Sequence, residues 1–138
     1  MSSEDLKGKP LPSKAVDELA KVAAWLQSDA ANFEVVDNIK ICKNIDGLAT
    51  ATVDLLKRFT AEVKKRPTQN RITALHFDQP AIVPVEEGWN VDLIPVHLVE
   101  KPVEVESQQL NLGHYFHLTK EARVSGEFFA VLLLSQLP

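Results

Sequence analysis

Hydrophobic positions change their spacing along this chain, and the change predicts the layout of its elements. From Ser13 onward, Val16, Leu19, Ala20, Ala23 and Leu26 recur every three or four residues, the spacing of one helical face. Ser13 stands where an N-cap is expected, and Asp17 and Glu18 fall near the helix N-terminus, where negative charge is favourable. Further on, Leu48, Ala49, Thr52, Val53, Leu56, Phe59 and Val63 form a second stripe, with Asp54–Arg58 and Glu62–Arg66 spaced as i,i+4 pairs. Lys64, Lys65 and Arg66 suit the C-terminal end of that helix, and Pro67 stops it. Between the two stripes, Val35, Val36, Ile39, Cys42 and Ile45 fit a helical face, while Phe33, Val35, Ile39 and Ile41 partly fit a strand; the pattern favours helix.

Past Pro67 the period shortens. Arg71 to Phe77, Ile82 to Val85, Trp89 to Val99, Val103 to Glu106, Tyr115 to Leu118 and Phe128 to Leu134 read as strands, with a helix from Glu127 the competing reading for the last. Glu86-Glu87-Gly88 reads as a hairpin loop joining the second strand to the third. Pro84 and Pro95 lack the donor a central ladder needs, so they predict edge strands or bulges. Alanine falls from nine residues before position 70 to four after it as β-branched residues become denser. The fold class expected is therefore α+β, with N-terminal helices at about 13–66 packed on a mainly antiparallel C-terminal sheet at about 71–135. Residues 1–12, with Gly8, Pro10 and Pro12, are expected to be a flexible tail before a single domain at 13–138.

At 138 residues the chain is long enough to bury a core without metal or disulfide staples, and the lone Cys42 has no internal partner for a disulfide. The polar N-terminus lacks the form of a signal or transit peptide, and the longest apolar run, Phe128 to Leu134, is far short of the roughly 20 residues that span a bilayer. A cytoplasmic protein without membrane association is the expectation. The net charge of −4 argues against nucleic-acid binding. Residues 1–70 carry 11 basic against 10 acidic side chains and residues 71–138 carry 4 against 9, so the negative charge lies in the second half. The basic group Lys57, Arg58, Lys64, Lys65, Arg66 and Arg71 could meet phosphate, although a solvated helix face explains it as well.

No complete catalytic or cofactor motif is present. Gly-rich phosphate loops and the Gly-x-Ser-x-Gly elbow are missing, Ser125-Gly126 reads as a turn, and no cofactor is expected. Cys42, on an apolar stripe, reads as core filler. Glu104 and Glu106 share a strand face, which solvation explains. His76, His97, His114 and His117 all fall in the second half; His97, His114 and His117 are the candidate metal ligands, but the odd spacing of His114 and His117 on a strand sends them to opposite faces. Trp25, Trp89, Leu134 and Leu137 are the candidate protein-binding residues, two tryptophans and a chain end that stays apolar.

These features lead to the expectation of a small intracellular protein without catalytic activity that works by binding a protein partner, as a subunit, adaptor, assembly factor or inhibitor, with a homo-oligomer as one arrangement. The alternative is a small-ligand- or metal-binding protein or enzyme whose pocket lies between helices and sheet, lined by histidines and a nearby carboxylate.

Overall fold

A computed structural model describes residues 8–36, 39–62 and 70–136. In chain order these form β1 (Lys9–Pro10), α1 (Ser13–Val16), α2 (Leu19–Leu26), a 3-10 turn (Asp29–Ala31), β2 (Phe33–Val36), β3 (Ile39–Cys42), α3 (Ile45–Glu62), β4 (Asn70–Phe77), β5 (Ala81–Val83), β6 (Trp89–Val105), β7 (Gln108–Gln109), β8 (His114–Leu118) and β9 (Ala122–Gln136). The strands make one antiparallel sheet in the order β1-β8-β6-β9-β4-β3-β2, with β5 added to β9 and β7 to β6. Sheet outweighs helix, 50% to 26%, a balance compatible with an α+β class but shifted towards β. No helix among the described residues is long and apolar enough to cross a membrane.

The sheet begins earlier in the chain than the sequence pattern predicts. Lys9 and Pro10 pair with Tyr115 and His114, and Leu11 is buried, so residues 9–11 belong to the folded body and not to a loose tail. The first helix is broken at Asp17-Glu18, and its cap is Pro12: the Pro12 carbonyl accepts from the Ala15 and Val16 N–H groups, while Ser13 is already helical. The expected helix over 32–45 is instead the β2/β3 hairpin, with Phe33 opposite Cys42 and Val35 opposite Lys40. β-branched Val35, Val36, Ile39 and Ile41 are crowded at χ1 in a helix and pack well on a pleated surface. Asn32, in the left-handed region at φ 53°, turns the chain into that hairpin.

α3 follows the expected stripe in part, with Ala49 and Val53 exposed and Leu55 buried in their stead. Asn44 caps it, its Oδ1 accepting from the Gly47 N–H at 3.0 Å, and Leu48, Thr52, Leu55 and Phe59 are buried along one face. Gly47 is required for packing: a Cβ there would lie 2.7 Å from Trp25 Cζ2.

Two apolar clusters lie on opposite faces of the sheet. One combines Leu19, Val22 and Leu26 of α2 and Leu48, Leu55 and Phe59 of α3 with Ile94, Phe129, Val131 and Leu133 of the sheet. The other contains no helical residue at all; Phe77, Val91, Leu93, Val105, Phe116, Phe128 and Leu132 are nonetheless buried. With no second layer over that face among the described residues, curling of the sheet upon itself is what removes it from water. The devices that bend it are visible. β6 shifts register against β9 between Pro95 and His97, between Leu98 and Glu100 and between Glu100 and Glu104, and β9 carries Gly126 at φ 90°. Ser125-Gly126 is therefore a bend inside a long strand and not a turn between elements.

Two further expectations change. β5 pairs with β9 and not with β6, so Glu86-Glu87-Gly88 does not close a hairpin between them. β6 ends at Val105, and Glu106 and Ser107, both at positive φ, form the tight turn to β7, so Glu106 does not share a strand face with Glu104. Pro95 is buried in a central strand, made tolerable by the bulge that follows it. The 128–134 run is strand, with β4 on one side and β6 on the other.

Candidate functional site

The bulge at Val96 creates the most chemically distinctive row of the sheet. Ile94 stands opposite Val131 and His97 opposite Phe129, so one extra residue on β6 brings both Val96 and His97 to the helix-facing side. Without it, strand alternation would turn His97 to the other face. On the far side of β9, His76 of β4 also stands opposite Phe129. His76, Phe129 and His97 thus run side by side across three strands. The His76 ring stacks on Phe129 with centroids 4.0 Å apart and planes 6° apart, and His97 lies tilted at 6.1 Å from the same phenyl ring. Phe33, delivered by the β2/β3 hairpin, meets His76 and Phe129 edge-on at 6.1 and 5.8 Å.

Glu127, two residues before Phe129 and hence on the same face, places Oε2 3.0 Å from His76 Nε2. A carboxylate accepts and does not donate, so Nε2 carries the hydrogen and Nδ1 is left as the acceptor of the neutral ring. No partner for Nδ1 is present among the described residues. Lys40, opposite His76 on β3, is paired with Asp78 at 3.0 Å, and that ammonium holds the Asp78 carboxyl below its ordinary value.

Between this row and the end of α2 lies a cavity of about 510 Å³, lined by Leu26, Gln27, Ser28, Asp29, Asn32, Phe33, His76 and Phe129. Its volume falls within the range of small-molecule sites, roughly 300–1,000 Å³, and its walls combine two aromatic rings with a few polar groups. Next to it, a space of about 460 Å³ between α2 and β6 reaches His97.

The sequence-derived metal set is not brought together. His114 faces away from His117, as the odd spacing predicts, and its Nδ1 is buried without a hydrogen-bond partner among the described residues. His117 and His97 share the helix-facing side but sit at the levels of Leu133 and Phe129 on β9, about 13 Å apart along the strand at roughly 3.3 Å per residue. A zinc ion needs each nitrogen at about 2.0–2.1 Å, so one ion cannot join them. Even His76 and His97 are two strand spacings apart, roughly 10 Å, with Phe129 between. Among the described residues no cluster of three or more histidine, cysteine or acidic side chains could hold a metal.

His117 has a different role. Its Nδ1 lies 2.7 Å from Oδ1 of Asp92, its neighbour across β6, and Asp92 is fully buried. Beside them, burial first and the Asp92 charge second push the Tyr115 phenol above its ordinary value; its ring packs on Phe59 at 4.9 Å. Cys42 is buried in the core as expected, its thiol raised by burial and donating to the Ala31 carbonyl, so it offers no thiolate.

Of the candidate protein-binding residues, Trp25 is half-buried against the helix-side cluster, Trp89 is half-buried with the Arg71 guanidinium 5.1 Å over its ring, and Leu134 packs on the other cluster. Leu137, like Lys64, Lys65 and Arg66, lies outside the described residues. His76 was missed as a site residue because only the pairing of β4 with β9 puts it beside Phe129 and Glu127, 53 and 51 positions away.

No protein-family model matches the chain, and no curated protein matches it. Among solved structures it is similar to the structure of KdgF from Halomonas sp., with 14% identity over 78% of this chain and 87% of that one and a TM-score of 0.44. At that score the likeness says nothing about activity. The expectation of a non-catalytic protein-interaction protein is corrected on the chain's own packing: Trp25, Trp89 and Leu134, named as anchors for a partner, are engaged within the chain itself.

Proposed function

We propose that this protein binds a small polar organic molecule in the cavity between the end of α2 and the His76–Phe129 row. The observation that carries the reading is His76 itself, stacked on Phe129, bonded to Glu127, and lining a cavity of about 510 Å³. Phe33 and Phe129 offer an apolar wall for one side of a ligand, while Asp29, Asn32 and Gln27 offer hydrogen-bonding groups on the other. The His76–Glu127 pair adds a group able to accept a proton at Nδ1 and donate it again, the requirement for general acid–base chemistry on whatever is bound. No metal takes part in this reading.

Ligand-observed NMR with a set of small probes covering monosaccharides, hydroxy acids and aromatic acids tests it, with wild type compared against His76→Ala and Phe33→Ala. Probes that bind wild type and lose affinity by about tenfold or more in both variants, at unchanged folding by circular dichroism, are the expected result. Binding that is indifferent to both substitutions would sink the reading.

A further inference from the structure

A second cavity lies between the β2/β3 hairpin and β5 and shares no lining residue with the first. It measures about 780 Å³ and is walled by Val36, Ile39, Ile41, Ile82 and Val124, with one charged group, Arg123, at its margin. Val36 and Ile82 are 44% and 47% exposed, and Ile39 and Ile41 are half-buried, so apolar surface lines an open groove between the β2/β3 hairpin and β5. Arg123 is exposed. Its backbone N–H donates to Glu106 Oε2 at 2.6 Å, but its guanidinium has no ion-pair partner among the described residues.

We propose that this groove binds a small amphipathic carboxylate, its apolar tail lying on Ile39, Ile41 and Ile82 and its carboxylate on the Arg123 guanidinium. Two features select that class. An apolar floor favours a hydrocarbon tail, and the guanidinium fork matches a carboxylate with two parallel hydrogen bonds. A cationic or purely polar ligand would gain from neither. A second copy of the chain adding a strand at the neighbouring edge is disfavoured by that edge itself: β2 is four residues long and carries the Glu34–Lys43 ion pair. The groove shares no residue with the cavity at His76, so this inference stands apart from the function proposed above.

The test uses octanoate and octanol, followed by calorimetry and by methyl NMR of the intact chain. Octanoate is expected to bind saturably at one site and to shift the Ile39, Ile41 and Ile82 methyls. Arg123→Gln should weaken octanoate by about tenfold or more while leaving octanol unchanged, since a hydrogen bond to an ionised group is worth at least that ratio. Ile82→Asp, at an exposed position, should weaken both probes, and His76→Ala neither. Several results would overturn the inference: no saturable binding, equal loss of both probes in Arg123→Gln, shifts spread over the surface, or groove methyls already covered in a concentration-dependent dimer.

Discussion

His76 and Phe129 face each other across β4 and β9 with their rings parallel to within 6° and 4.0 Å apart. Because both are also held by Phe33, the stack fixes the direction in which His76 meets the cavity. A double-mutant cycle with His76→Ala and Phe129→Leu should give a coupling of about 0.5–1.5 kcal/mol in urea unfolding, the usual worth of an aromatic pair beyond its burial. Additive effects would mean the rings stack without an energetic tie.

Asp92 and His117 form the second histidine–carboxylate pair, and here the carboxylate is the buried partner. His117→Ala should cost about 1.5–3 kcal/mol, the range for a hydrogen bond to a charged group, although His117 is itself part-exposed. A loss below about 0.5 kcal/mol, typical of an ordinary surface change, would show that Asp92 is satisfied without it.

Tyr115 gives a pH dependence whose sign follows from its raised phenol. The unfolded state ionises first as pH rises past 10.0, so the Tyr115 contribution to stability is whole below that value and is lost as pH rises through the folded value. Asp92→Asn removes the second cause of the shift and leaves burial, the larger one. Phenolate absorbance should therefore appear at lower pH in Asp92→Asn than in wild type, but still above 10.0. An unchanged titration would remove Asp92 as a contributor.

Gly126 is the hinge of β9. At φ 90°, a Cβ would stand 2.5 Å from the Pro102 carbonyl oxygen and 2.9 Å from Val103 Cα, both backbone atoms that cannot yield cheaply. Gly126→Ala should destabilise the fold by about 2 kcal/mol or more in urea unfolding, whereas Gly88→Ala, also at positive φ but with open space around it, should cost about 1 kcal/mol. Equal costs would mean that φ alone decides and the close approach to β6 does not.

Much of the local structure was legible in the sequence because it rests on local physics. Leu48, Thr52 and Phe59 of the α3 stripe follow the helical period, although Leu55 and not Val53 completes the buried face, and the strands around Arg71–Phe77, Tyr115–Leu118 and Phe128–Leu134 follow composition and punctuation. The opposite orientation of His114 and His117 followed from strand geometry alone. Residues 32–45 were misread because a few β-branched residues satisfy both periods, and only pairing with β4 and packing of Cys42 and Phe33 under the helices decide for the hairpin.

The candidate site was the least legible part. His97 reaches its row only because a bulge adds one residue to β6, and no count along the chain reveals which side of a bulge a residue takes. His76, Glu127, Phe129 and Phe33 meet through hydrogen bonds between strands far apart in sequence. Sequence by itself determined which segments could be helix or strand, since that depends on neighbours a few residues away. Tertiary structure decided which side chains share a cavity, because register, bulges and the curl of the sheet are set by burial across the whole molecule.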